Sequence, residues 1–191
     1  GRPFMIIDGI NLDPEEKRTL TDLECDVTQV GIPAILKTLG YTPILMQFDE
    51  TVRVSLQQNS ESLSRLFAFL SNNNHIPFPG AKEDGFVIMG ISQGGVIGRY
   101  ASYLYDTHRS DSDAPIRLFS SLDSPHQGAV MPMGLFNTVA FWSDKGGSSS
   151  AEMFKDILLS KGAADLLVYE NKCVDSFCAS EVNTRGRFLF E

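Results

Sequence analysis

Short apolar runs alternate with amphipathic stretches and polar or glycine-containing breaks over most of the chain. Pro3 to Ile7 is apolar and ends at Asp8-Gly9, the pattern of a buried strand running into a turn. Ile32, Ile35, Leu36 and Leu39 share one helical face that stops at Gly40, and Thr42 to Phe48 reads as a second strand. Leu63, Leu66, Phe67 and Leu70 recur at i, i+3, i+4 and i+7, marking a helix that exits through Ser71-Asn72-Asn73-Asn74 and Pro77 to Gly80. Gly85 to Ile91 is apolar on both sides, as expected of a strand covered on both faces. A helix with Val96, Ile97, Tyr100 and Leu104 on one stripe follows it, and Ile116 to Leu122 reads as a fourth strand.

Strand and helix therefore alternate. This predicts an α/β fold: a mostly parallel sheet of about four strands, with helices on both faces. Asn11 to Asp26 is polar and reads as a solvated loop or a short helix. After Gly128 the pattern changes. Met131 to Phe136 is apolar without a strand period, Ser143 to Ser150 is rich in Gly and Ser, and Glu152 to Glu170 reads as one or two helices. A single domain over 1–191 is expected, with 129–170 either a lid or cap or an ordinary helical layer. Arg185 to Glu191 reads as the start of another element.

Charge narrows the partners. The net charge of −8 argues against nucleic acid, whose phosphates need a basic surface, and against charge-driven docking on anionic membranes. No apolar run approaches the roughly 20 residues of a transmembrane helix. The chain opens Gly-Arg-Pro-Phe without Met, and is expected to be a processed or truncated product. Cys173 and Cys178 read either as a local disulfide, which would fit a secreted or lysosome-like compartment, or as two ordinary thiols. With no histidine nearby they do not complete a zinc shell, and no metal or cofactor is expected.

Gly90-Ile91-Ser92-Gln93-Gly94 matches G-x-S-x-G. At average Gly and Ser usage such a match arises by chance in roughly one chain in fifteen of this length, so context has to decide. Here Phe86 to Met89 lead in as a strand, and Val96, Ile97 and Tyr100 lead out as a helix. A sharp strand-to-helix turn exposes the Ser92 hydroxyl, glycines at 90 and 94 relieve crowding, and the helix N-terminus favours developing negative charge. The competing reading is a tight glycine turn with an incidental serine.

Acyl transfer needs two N–H donors for the oxyanion. One is expected from Gln93, the other from Ile10 after Asp8-Gly9, a pair that otherwise reads as a plain turn. Asp123 closes the fourth strand at the sheet edge where open α/β folds place their sites. It is a candidate acid, or else a turn-fixing residue. His126 reads as a residue shaping the pocket wall, with catalytic base as the minor alternative. His75 and His108 sit in loop and surface tracts.

Three motifs in order resemble the lipase and palmitoyl-protein thioesterase side of the α/β-hydrolase superfamily: Pro3 to Gly9, Gly90 to Tyr100, and Ser121 to Ala129. The likeness of the last two is closer still to uncharacterised hydrolase domains of secreted bacterial proteins. Together they cover residues 3 to about 170. The resemblance implies a serine hydrolase cleaving a small-molecule or lipid acyl ester or thioester through an acyl-enzyme on Ser92. It also implies a fold incomplete at its C-terminal end, with the triad histidine beyond Glu191. Asp8-Gly9 departs from the His-Gly common in the family. The alternatives are a non-catalytic binding module of the same fold, or an acyltransferase.

Overall fold

The computed structural model describes residues 1–10, 18–48, 54–71 and 84–167, and the backbone of 169–174 and 177–182. Two compact units are distinguished, one formed by Gly1–Ile10, Arg18–Asp49 and Gln57–Ser124, the other by Asn11–Lys17, Glu50–Leu56 and Pro125–Glu191.

In the first unit four strands, β1 (Arg2–Ile7), β2 (Tyr41–Met46), β3 (Phe86–Ile91) and β4 (Ile116–Leu122), form a sheet in the order β2-β1-β3-β4. Every pairing is parallel. The four expected strands are therefore present, within a residue or two of their expected bounds. Because β2 lies on one side of β1 and β3 on the other, the chain reverses its winding between β1 and β3. Crevices for ligands open at such a reversal, beyond the carboxyl ends of the strands.

Helices cover both faces. Strand side chains alternate, so Ile6 and Ile7 point to opposite sides. Ile6 packs with Leu23 and Val27 of α1 (Leu20–Gln29) and Leu36 of α2 (Ile32–Thr38), joined by Phe4, Leu45, Met89 and Ile91. On the opposite face α4 (Gln93–His108) brings Gly98 close to Ile7, Ile88 and Phe119. Beside it, α3 (Leu56–Ser71) stacks Phe67 on Phe86 at 5.8 Å, and Tyr105 of α4 meets both rings edge-on.

The polar stretch before α2 contains a full helix, α1. Its start is fixed by Thr19, whose backbone N–H and hydroxyl both donate to the Asp22 carboxylate at 2.7 Å. Residues 11–17 lie outside the described part, as do the Asn72–Gly80 loop, His75 and Arg185 to Glu191.

The second unit holds three helices among the described residues: α5 (Met133–Asp144), α6 (Ser149–Leu158) and α7 (Lys161–Leu166). Phe136, Ala140, Leu158 and Leu167 form its buried centre. The apolar tract after Gly128 thus feeds a helix, and the Gly/Ser-rich stretch shrinks to a turn whose Ser148 caps α6 through the Ala151 N–H. One or two helices were expected over Glu152 to Glu170; two are present, but α7 stops at Leu166 and an antiparallel hairpin follows, β5 (Tyr169–Val174) with β6 (Phe177–Val182). Cys173 and Cys178 are direct register partners in it. No helix among the described residues is long and apolar enough to cross a membrane.

Asp113 ties the end of α3 to the approach to β4. Its carboxylate accepts from the Ser110 N–H at 2.8 Å, the Ser110 hydroxyl at 2.9 Å and the Ser71 hydroxyl at 3.4 Å, while Ser71 Oγ accepts from the Ala114 N–H. The Ser110 N–H leads in holding this carboxyl below its ordinary pKa. A lowered folded value gives stabilisation that is present above the unfolded pKa and lost as pH falls through the folded one. Asp113→Asn is therefore expected to lose about 1 kcal/mol at pH 7. That deficit should shrink as pH falls below the ordinary aspartate value of about 3.9, as read from urea midpoints at pH 7 and across the acid range.

Candidate active site

Ser92 sits where β3 hands over to α4, with φ 51° and ψ −124°. A side chain with positive φ is uncommon, and holding one costs about 1–3 kcal/mol unless the surroundings enforce it. They do so here. The Ser92 N–H donates to the Leu122 carbonyl at 2.9 Å, and its own carbonyl accepts from the Gly95 N–H at 3.0 Å. Gly90 and Gly94 permit the bend through proximity. A methyl group on Gly90 would strike the backbone of Gly94 and Gly95, and one on Gly94 would strike the carbonyls of Ile7 and Asp8.

Register places the other groups. Ile7 pairs with Gly90, and Ile91 with Leu122. One step further on, Gly9, Ser92 and Asp123 leave the sheet side by side. Gly9 touches the serine directly: a Cβ there would stand 2.9 Å from Ser92 Cβ and 3.5 Å from Oγ. Ser92 itself is half-buried and so keeps a solvent face.

Gln93 opens α4, whose first N–H groups have no acceptor within the helix. Its backbone N–H is thus available beside the hydroxyl, as the sequence pattern requires. Its side chain is fully buried, and neither end of the amide finds a partner among the described residues. On the other side of the bend, the Gly9 N–H turns back onto the Asp8 carboxylate at 2.9 Å, which leaves the Ile10 N–H as the loop's candidate donor.

Asp8 is 5% exposed. Arg18 Nε donates to its Oδ2 at 2.7 Å, and Arg18 Nη2 reaches Asp26 at 2.7 Å. The Asp8 hydrogen bond is the largest influence holding the Arg18 guanidinium above its ordinary pKa. Nothing in the sequence pattern marked Arg18. The signal was an acidic residue at a buried strand end, which requires a cation somewhere nearby in the fold.

Asp123 has φ 49° and an exposed side chain. His126 belongs to the second unit, in a turn closed by the Gly128 N–H on the Pro125 carbonyl at 2.9 Å. A groove of about 410 Å³ lies between α3 and α4, lined in part by Arg65, Tyr105, His108 and Asp113. It opens at the far end of α4, about 18 Å or more from Ser92 by helix rise, and does not serve the bend.

Comparison with known proteins gives no match: no family model, no curated protein and no solved structure is similar to this chain.

Two substitutions test the packing of the bend. Gly94→Ala should destabilise by about 1–3 kcal/mol, because backbone carbonyls cannot retreat as side chains can. Gln93→Met should stabilise by about 1 kcal/mol, since it replaces an unpartnered buried amide with an apolar side chain of similar shape. Urea denaturation followed by circular dichroism measures both.

Proposed function

We propose that this protein is a serine hydrolase that cleaves an acyl ester or thioester through an acyl-enzyme on Ser92. The observation that carries the reading is the backbone of Ser92, strained at a strand-to-helix bend with glycines packed around it. An incidental serine would be exchanged for a residue better suited to positive φ, because the strain brings no packing gain of its own.

In the proposed reaction Ser92 Oγ attacks the acyl carbonyl and gives its proton to a histidine. The negative charge moves to the carbonyl oxygen, where the N–H groups of Gln93 and Ile10 receive it. As the carbonyl re-forms, the bond to the leaving alcohol or thiol breaks, and the histidine returns the proton to that group. Water then attacks the acyl-enzyme by the same route and frees the acid. The resemblance to lipases and thioesterases assigns the histidine to a point after a later strand, and His126 is the candidate within these residues. Asp123 is the candidate acid that orients it. An acyltransferase would share the acyl-enzyme, with an alcohol or thiol replacing water.

An apolar acyl group is proposed from the sequence, where the tract Met131 to Trp142 is rich in apolar residues.

A fluorophosphonate probe should label the full-length protein at Ser92, and Ser92→Ala should abolish labelling while leaving the melting temperature within a few degrees. Folded protein that resists the probe would remove the catalytic reading and favour a binding module. For the acyl group, the protein should show a higher kcat/KM for decanoyl than for acetyl esters, and equal values would argue against an apolar acyl group.

A further inference from the structure

We propose that Arg18 is a positioning residue for the oxyanion loop, holding Gly9 and Ile10 in place and neutralising a carboxylate that would otherwise oppose the oxyanion. The inference rests on the reading of Ser92 as nucleophile.

The geometry is a relay within the first unit. Asp26 on α1 and Asp8 at the end of β1 each take one nitrogen of the Arg18 guanidinium at 2.7 Å. Gln47, one step beyond β2, donates to the Arg18 carbonyl at 3.0 Å and so fixes the backbone of that residue as well. From Asp8 the second carboxylate oxygen takes the Gly9 N–H at 2.9 Å. Gly9 in turn lies against Ser92, and the Asp8 carbonyl lies against Gly94. The loop carrying the Ile10 N–H is thus bound to the elbow on one side and to Arg18 on the other.

Charge gives Arg18 its second task. A carboxylate beside a forming oxyanion repels it, and burial removes the water that would screen the repulsion. Asp8 is almost fully buried, one residue from Gly9 and two from the candidate donor. The guanidinium on its Oδ2 offsets the buried charge, and the remaining negative charge of the trio sits on Asp26, which is 58% exposed and screened by water. Fixed dipoles aimed at developing charge lose their value when an uncompensated like charge stands beside them.

A purely structural ion pair and a positioning pair predict different double mutants. Arg18→Met should slow fluorophosphonate labelling of Ser92 by about tenfold to a hundredfold, less than the full loss of an oxyanion donor. Because Asp8→Asn removes the stranded charge yet keeps an oxygen for the Gly9 N–H, the Asp8→Asn/Arg18→Met double variant should label at least threefold faster than Arg18→Met. R18K should fall between wild type and Arg18→Met. The rate constant is the readout, since the labelled fraction only counts folded molecules. Hydrogen exchange of the Gly9 amide, followed by NMR, reads the positioning without catalysis and should accelerate in Arg18→Met by tenfold or more. An Arg18→Met variant that labels at the wild-type rate, a double variant no faster than the single one, or unchanged Gly9 exchange would each overturn the proposal. A wild-type protein that does not label at all overturns the reading of Ser92 and the electrostatic task with it, and Gly9 exchange then decides the positioning task alone.

Discussion

A serine held at φ 51° between a buried parallel strand and a sixteen-residue helix constrains most of the first unit. The conformation persists only where neighbours on every side over-determine it. To the right, in strand order, Leu122 of β4 accepts the Ser92 N–H. To the left, Ile7 and Asp8 of β1 present carbonyls that leave position 94 no space for a side chain. Below, Gly90 admits the first turn of α4. Remove β1 or β4 and the bend relaxes. The sheet order β2-β1-β3-β4 is the arrangement that gives β3 a partner on each side while opening the crevice at its carboxyl end.

The same constraint bears on the turn after β1, which is built around an acid. The turn leaves β1 at the winding reversal, where the Asp8 N–H still donates to the Met46 carbonyl at 2.9 Å. A carboxylate at position 8 can bind its neighbour's N–H and a distant cation at once, using one oxygen for each. A histidine at that point offers at most two nitrogens and could not take both donors, because one ring nitrogen carries the proton in its neutral form. An acid at this position is therefore an anchor that brings a negative charge which must be offset locally. Buried ion pairs are poor sources of stability, but breaking one by removing a single partner is strongly unfavourable. The pair in this loop fixes geometry more than it adds free energy.

The fold was largely legible, because buried parallel strands are continuous apolar runs and their punctuation is sharp. β4 was read to the residue, and β3 to within one, since Gly85 and Ser92 bound a run with no polar member. Helix α1 was harder to read: its buried residues are only Leu23 and Val27, too few to form a stripe, and the Thr19–Asp22 capping pair was its real signature. Helix α5 lacked a clear face because Leu135, Phe141 and Trp142 stay exposed beside the buried Phe136 and Ala140. The β5–β6 hairpin was hidden by its composition, with Glu170, Lys172 and Glu181 interrupting any apolar run. At the site, local pattern reached Ser92, Gln93 and the glycines, which lie in one stretch. It could not reach Arg18, which meets Asp8 from ten residues along the chain, a contact that no local pattern encodes.

Burial is unequal across the sheet, and this separates the site residues by what they can do. β1 and β3 are covered on both faces, so Gly9, Ser92 and Gln93 follow well-packed strands. β4 is covered by α4 on one face, while Leu118 and Leu122 on the other are 56% and 58% exposed. Asp123 continues that strand and is exposed itself. A carboxylate in water interacts with an imidazolium several-fold more weakly than one in a protein interior, because the solvent screens the pair. On the proposed reading, Ser92 would rest on a strand covered on both faces, whereas Asp123 would act from the end of the exposed edge strand β4.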